Sequence, residues 1–139
     1  MDKRKTQVSK AIEIALRHPD GLHPLQVATE ALKINSDSDD FETFLVGLLH
    51  DSIEDEYIDE SELSAFDNRV IAAVSCLSRK DGEEYWSYID RIKDEGSELA
   101  RRVKLADAKV NFARCKNELG HQGKAKRYKR VIEELKALK

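Results

Sequence analysis

The sequence contains few residues of the kinds that interrupt helices. Among its 139 residues are two prolines and six glycines, and both prolines, Pro19 and Pro24, lie near the start. The long spans without proline that follow favour helices. Aromatic residues make up only 6% of the chain and charged residues 37%, which suits a compact helical protein better than a β-sandwich. We therefore expect an all-α protein, and the length predicts a single domain over residues 1–139.

Cysteine motifs and long apolar runs are also missing. The two cysteines, Cys76 and Cys115, lack C-x-x-C spacing, and neither a signal peptide nor a membrane-spanning run is evident. These absences predict reduced core thiols in a cytoplasmic protein that does not associate with membranes.

Charge of each sign is concentrated in a different part of the chain. Residues 101–139 carry thirteen basic and four acidic side chains, whereas residues 1–100 carry eleven basic and twenty-three acidic ones. The acidic residues 1–100 are suited to bind a cation, and the basic residues 101–139 are suited to bind an anion. A ligand that is both metal-bound and rich in phosphate would use both.

The segment Phe44–Asp55 combines an apolar helix with a dense group of titratable side chains. Its first half predicts a buried helix. At helical spacing His50 lies above Glu54, and Asp51 lies above Asp55. Like charges one turn apart cost about 0.2–0.5 kcal/mol per pair even in water. The segment therefore either binds a cation, most simply a metal ion, or ends the helix with acidic side chains that are exposed to water.

Two further segments hold polar groups in informative positions. His23-Pro24 opens a second predicted helix, where the histidine is either a cap or surface residue or a ligand directed into a site. Asp107 lies among apolar residues of a long helix, with Lys104 and Asn111 near the same face. A local Lys104–Asp107 pair would leave Asn111 unexplained. If these groups meet those of the third helix on one ion, the mixed imidazole and carboxylate set favours manganese, ferrous iron or zinc over calcium.

Apolar periodicity and turn residues predict the other helices. The predicted helices are 5–17, one opening at 23–24, one starting near 40, a short turn at 61–63, 69–77, 83–93, 97–119 and 124–138, with a loop at 120–123. The residues predicted to face the core are Val8, Ile12, Ala15 and Leu16 in the first helix, Leu25, Ala28 and Leu32 in the second, and Tyr128, Val131, Ile132, Leu135 and Leu138 in the last. The run 69–77 has enough β-branched residues for a strand, but no partner strand is evident. The aromatic residues Tyr85 and Trp86 are predicted to pack in the core.

Three segments together resemble the H…HD…D signature of the HD-domain metal-dependent phosphohydrolases. They are His23-Pro-Leu-Gln-Val-Ala, Leu-Leu-His50-Asp51-Ser-Ile-Glu54-Asp55, and Val-Lys104-Leu-Ala-Asp107-Ala-Lys-Val-Asn111. The chain is most similar to the hydrolase domain of the RelA/SpoT-type enzymes and their single-domain relatives, which remove the 3′-pyrophosphate of ppGpp. The resemblance implies a multi-helix HD-domain bundle that hydrolyses a nucleotide, with guanosine 3′,5′-bis(diphosphate) 3′-pyrophosphohydrolase as the specific candidate activity.

The resemblance also implies a role for each site residue. The implied ligands of a divalent metal, with Mn²⁺ as the expected ion, are His23, His50, Asp51 and Asp107. The pair implied to orient or activate the attacking water is Glu54 and Asp55. The residues expected to contact the substrate, the basic ones through its phosphate oxygens, are Arg79, Lys80, Lys104, Asn111, Arg127 and Tyr128.

The chain departs from the resembled hydrolases before His23. Those proteins carry an Arg-Lys-containing stretch and a longer loop, whereas this chain passes from Arg17 to His23 in a few residues. Arg17 is a candidate replacement for part of the missing groups. Because of this departure, the sequence supports hydrolysis of a phosphate ester more strongly than it supports ppGpp as the particular substrate.

Two other functions are compatible with the sequence. The first is a non-catalytic HD scaffold that senses a nucleotide or protein partner, although the intact acids and histidines oppose it. The second is a nucleic-acid patch over Lys124–Arg130, which the acidity of residues 1–100 opposes. The expected partner is therefore a small-molecule nucleotide rather than a nucleic acid.

Overall fold

The computed structural model describes residues 2–115 and 122–136, and within them the protein is all-α. The predicted fold class is confirmed. The helices of the described residues are α1 Lys3–Ala15, α2 Leu22–Leu32, α3 Asp40–Leu49, α4 Glu60–Leu63, α5 Asn68–Cys76, α6 Tyr85–Glu95, α7 Glu98–Cys115 and α8 Gln122–Lys136. None of these helices is both long and apolar enough to cross a lipid bilayer. That residues 1–139 form one domain stays a prediction.

The buried face of α1 differs from the predicted one. Ala15 is buried as expected, and Val8 is partly buried. However, Ile12 is 43% exposed and Leu16 is 70% exposed, so the prediction was wrong for both. The residues that α1 buries are Gln7, Ala11, Ile14 and Ala15.

The same error affects α2. Ala28 is buried, but Leu25 is 44% exposed and Leu32 is 40% exposed. Small residues face the core instead, and they allow a close approach of neighbouring helices because little side chain separates the backbones. The buried residues of α2 are His23, Pro24, Val27, Ala28 and Ala31.

Helix α3 begins as predicted but ends earlier than predicted. Its start is capped by the Asp39 carboxylate, which accepts a hydrogen bond from the Glu42 backbone N–H at 2.9 Å. The helix ends at Leu49, and residues 50–56 form turns. The Asp55 backbone N–H still donates to Asp51 O at 3.0 Å, so Asp51 and Asp55 are neighbours as expected although the helix has ended. Two side chains stop the helix by occupying its last carbonyls: His50 Nδ1 lies 2.7 Å from Gly47 O, and Ser52 Oγ donates to Leu49 O at 2.6 Å.

The later helices agree with the predicted order. Residues 69–77 are helical in α5 rather than extended, apart from a terminal shift of one residue. Ser97 caps α7, with its Oγ accepting a hydrogen bond from the Ala100 backbone N–H at 3.1 Å. Gln122 and Gly123 were predicted in a loop but belong to α8. The expected end of α7 at residue 119, the loop residues 120 and 121, and Leu138 lie outside the described residues.

Helices α2, α3 and α7 pack against one another and hold the centre of the fold, while α8 packs along α7 and α1 against α3. Of the residues predicted to line the last helix, Val131 and Leu135 are buried and Ile132 is partly buried. Cys76 and Cys115 are free, as expected, and half-buried; Cys76 packs against the core, whereas Cys115 is not among the core residues.

Candidate metal centre

The central three helices bring the four predicted ligands together. His23 lies in the first turn of α2, His50 directly follows α3, Asp51 is in the turn after it, and Asp107 is in α7. His50 Nε2 lies 3.2 Å from Asp51 Oδ2 and 3.5 Å from Asp107 Oδ1. His23 Nε2 lies 3.2 Å from the same Asp107 oxygen and 3.9 Å from Asp51 Oδ2. Residues separated by more than eighty positions thus share one small volume.

The tautomer of His50 suits a metal ligand. Its Nδ1 lies 2.7 Å from Gly47 O, and a carbonyl oxygen can only accept, so Nδ1 carries a proton. In the neutral ring Nε2 is therefore unprotonated. This buried Nε2 lies between two carboxylates but has no hydrogen bond of acceptable geometry. An orphaned imidazole nitrogen beside two carboxylates, with the opposite nitrogen held by a carbonyl, is the arrangement found at metal ligands.

The charges in the cluster are strongly coupled. Burial alone would lower the pKa of His50, but the nearby Asp107 and Asp51 carboxylates raise it to about 10. Burial alone would raise the pKa of Asp51, but His50 outweighs it and lowers that pKa. Without a cation, a proton on His50 balances part of this negative charge. A divalent cation would take over that role.

Asp107 is held on both of its oxygens. Lys104 Nζ lies 2.9 Å from Oδ2, and Asn111 Nδ2 donates to Oδ1 at 3.1 Å. The Lys104 and Asp107 side chains are only 11% and 9% exposed, so this is a buried pair and not a solvated local one. Burial opposes the charge of Asp107, yet Lys104 and the two histidines keep its pKa well below the ordinary value.

The cluster opens onto a pocket of about 210 Å³. Five of the six residues predicted to contact substrate line it: Arg79, Lys104, Asn111, Arg127 and Tyr128. The sixth, Lys80, is exposed, is not a lining residue, and donates its backbone N–H to Glu83. The structure therefore does not bring Lys80 to the site.

The predicted water-activating pair is divided between two environments. Glu54 lines the pocket, and its Oε1 accepts a hydrogen bond from the Arg79 backbone N–H at 2.6 Å. Asp55 is exposed and does not line the pocket. It lies instead near His18 and Asp51, and partial burial together with the Asp51 charge raises its pKa. Glu54 is the better placed of the two to meet a bound ligand.

Two residues of the site were missed by the sequence reasoning. His18 Nε2 lies 3.3 Å from Asp51 Oδ2, and His18 was not among the residues predicted to form the site. Tyr85 packs against the core as predicted, but it also lines the pocket, and its buried hydroxyl has no hydrogen-bond partner among the described residues. The available signal was a second histidine five residues before His23.

Arg17 does not replace the missing basic stretch. Its guanidinium contacts Glu62 at 2.7 and 2.8 Å and donates to Tyr57 O at 2.9 Å. It is not among the residues that line the pocket. Arg17 therefore fastens α1 to the segment that follows the turns.

Compared with known proteins, the chain matches no protein-family model, and no curated protein is significantly similar to it. The resemblance to HD-domain phosphohydrolases accordingly depends on the three segments around His23, His50 and Asp107.

Proposed function

We propose that the protein is a metal-dependent phosphohydrolase that acts on a nucleotide. The observation that carries this proposal is the convergence of two imidazoles and two carboxylates on one point at the edge of a cationic pocket. The pocket residues Arg79, Lys104 and Arg127 can meet the phosphate oxygens of a ligand. Mixed imidazole and carboxylate donors suit Mn²⁺, Fe²⁺ or Zn²⁺, and Mn²⁺ is the ion we expect.

The proposed ligand atoms are Nε2 of His23 and His50, Oδ2 of Asp51 and Oδ1 of Asp107, which already face one another. A divalent cation bound there would polarise a phosphoryl oxygen and make water acidic enough to serve as a nucleophile near neutral pH. Lys104 and Asn111 keep the Asp107 carboxylate oriented. The Gly47 carbonyl does the same for the His50 ring.

The remaining roles follow from position. Glu54 is a carboxylate at the pocket, held by the Arg79 backbone N–H, and it accepts the proton of the attacking water. Arg79 and Arg127 neutralise the charge on the departing phosphate. Both guanidiniums lie over the Tyr85 ring, at 5.9 and 4.5 Å from its centroid. This common aromatic support orients them towards the same pocket.

Guanosine 3′,5′-bis(diphosphate) is the specific substrate that we propose to test first. In that reaction water attacks the phosphorus next to the 3′ oxygen, the bond between them breaks, and pyrophosphate leaves. The protein lacks the basic stretch that precedes the first histidine in the resembled hydrolases. Other phosphorylated nucleotides therefore belong in the same test.

The decisive experiment incubates the purified protein with Mn²⁺, Mg²⁺, Fe²⁺ or Zn²⁺ and a panel of nucleotides, and identifies the products. Asp51→Asn and Asp107→Asn should each abolish turnover while the helical circular dichroism spectrum persists. Lys80→Ala is the matched control and should retain turnover, because Lys80 is exposed and outside the pocket. Full turnover in both aspartate variants would refute the proposed site. Stable binding of ppGpp without release of pyrophosphate or phosphate would instead support the non-catalytic sensor.

A further inference from the structure

His18 sits in the turn between α1 and α2 and contacts the metal cluster from outside the pocket. Its Nε2 lies 3.3 Å from Asp51 Oδ2, and its Nδ1 accepts a hydrogen bond from the Asp20 backbone N–H at 2.9 Å. The ring is also in edge contact with Tyr57, with centroids 5.9 Å apart. The His18 side chain is only 13% exposed. Its orientation is therefore fixed on several sides.

The contact with Asp20 determines the tautomer of His18. A backbone N–H can only donate, so Nδ1 is unprotonated and the proton of the neutral ring resides on Nε2. That N–H then donates to the Asp51 carboxylate. Asp20, His18 and Asp51 thus form a directed chain of two hydrogen bonds.

The same tautomer shows whether His18 is suited to bind a second cation or to donate a hydrogen bond to Asp51. Donor atoms of His18, Asp51 and Asp55 lie within 4.8 Å of one another, as they would around a second cation. A cation needs an unprotonated nitrogen facing it, and here the unprotonated nitrogen faces the Asp20 amide. The arrangement fits a hydrogen-bond donor to Asp51 and not a second metal site.

Among the four proposed ligands, Asp51 is the most exposed and the least supported by its own secondary structure, so a hydrogen-bond donor would orient it most. Its side chain is 28% exposed, against 5–9% for His23, His50 and Asp107. Asp51 also lies in a turn, whereas Asp107 is in the middle of a helix and is held by Lys104 and Asn111.

We infer that His18 is a positioning residue of the metal centre, whose Nε2–H orients the Asp51 carboxylate for a divalent cation. The inference rests on the proposed metal centre. Outer partners of metal ligands contribute 10–100-fold to metal affinity as an order of magnitude. Removing the His18 donor should therefore weaken metal binding without removing a ligand.

The test measures Mn²⁺ binding to metal-free protein by calorimetry. His18→Ala should weaken binding by about 10–100-fold. His18→Gln should recover most of that loss, because its amide N–H₂ can donate to Asp51 from a position close to that of Nε2. Tyr57→Phe is the matched control, since it keeps the ring beside His18 and removes a hydroxyl that has no hydrogen-bond partner; its affinity should equal that of the wild type. Circular dichroism spectra should show that all variants are folded.

The results separate the two proposals. Wild-type protein that binds no Mn²⁺ would overturn the metal centre, and this inference with it. Wild-type protein that binds Mn²⁺ while His18→Ala binds equally well would overturn only the role of His18. A His18→Gln variant as weak as His18→Ala would do the same, because a direct ligand would not be rescued by an amide.

Nitrogen-15 NMR of the metal-free protein provides a readout independent of binding. The neutral His18 ring should show a bare Nδ1 and a protonated Nε2. A protonated Nδ1 on His18 would overturn the inference directly.

Discussion

Ala28 and Gly47 lie backbone to backbone where α2 meets α3: a β-carbon on Gly47 would be 2.5 Å from Ala28 Cα. His23 lies five residues before Ala28, and His50 lies three residues after Gly47. The close approach of the two helices therefore controls how near the imidazoles come. Their ring centroids are 5.4 Å apart.

Gly47→Ala should destabilise the protein and weaken its metal site. Alanine would favour the helix by about 0.8–1.0 kcal/mol, but its methyl group would overlap the Ala28 backbone, which cannot move without moving α2. We expect a net loss of about 1–3 kcal/mol in the free energy of unfolding and weaker Mn²⁺ binding. Denaturant unfolding and calorimetry measure the two effects.

Gly123→Ala is the control for that substitution. Gly123 is also helical, and no described residue lies within 4 Å of the position that its β-carbon would take. The variant should be as stable as the wild type or slightly more stable. Equal behaviour of the Gly47 and Gly123 variants would contradict the importance of the Ala28–Gly47 contact.

Metal affinity should rise steeply with pH. In the metal-free protein the two carboxylates hold the pKa of His50 near about 10, so the ring is protonated at neutral pH and must lose that proton to bind through Nε2. Below this pKa, each unit increase in pH should raise the apparent affinity at least about tenfold. Calorimetric titrations of Mn²⁺ in buffers of different ionisation enthalpy should detect the released proton. An affinity that stays constant between about pH 6 and about pH 8 would contradict competition between metal and proton.

Arg127 and Arg130 provide a matched pair on α8. Both guanidiniums lie over aromatic rings of α6, Arg127 at 4.5 Å from the Tyr85 centroid and Arg130 at 3.9 Å from that of Trp86. Only Arg127 lines the pocket. Both side chains pack on an aromatic ring, and Arg130 also pairs with Glu134 at 2.9 Å. A comparison of KM values therefore tests contact with the ligand against packing on α6.

Arg127→Ala should therefore raise KM for the phosphorylated substrate by about 10–100-fold, the equivalent of a charged hydrogen bond of about 1.5–3 kcal/mol. Arg130→Ala should leave KM near the wild-type value. Steady-state kinetics with the best substrate of the nucleotide panel measure both. Equal increases in KM would mean that Arg127 acts only by docking α8.

Neighbouring side chains within one helix were predicted most accurately from the sequence. Asp107 is buried beside Lys104 and Asn111 as expected, because all three positions follow from the period of a single helix. Burial across helices was less predictable. Leu16 and Leu25 were assigned to the core by their hydrophobicity, but both are exposed. In α2 the small residue Ala28 is buried instead, because the backbone of α3 approaches it closely at Gly47.

The local geometry of the cluster could not be predicted from the periodicity of apolar residues either. The end of α3 at Leu49 depends on hydrogen bonds from His50 and Ser52 to carbonyl oxygens, which a continuous helical pattern does not include. The contact between His18 and Asp51 joins positions 33 residues apart. It forms because the turn after α1 lies beside the turn after α3.

Arg102 is a buried residue that connects the three helices around the metal centre. It is only 4% exposed, and its guanidinium links α7 to the end of α2 and the start of α3. The Nε donates to Ala31 O at 2.9 Å, and Nη1 donates to Ser38 O and Thr43 Oγ1 at 3.1 Å each. The Nη2 also contacts Asp40 Oδ1 at 2.8 Å. The planar fork thus serves acceptors in several segments at once, which a lysine ammonium on a flexible stem cannot reproduce.

Arg102→Ala should lower the free energy of unfolding by about 1.5–3 kcal/mol, because buried carbonyl and hydroxyl acceptors lose their charged donor. Arg102→Lys should recover only part of that loss. Arg114→Ala is the control on the same helix, because Arg114 and its partner Asp20 are 50% and 42% exposed, and such surface pairs contribute about 0–1 kcal/mol. Denaturant unfolding of the three variants measures the difference. A loss for Arg102→Ala no larger than that for Arg114→Ala would show that the contacts of α7 with α2 and α3 are maintained by apolar packing alone.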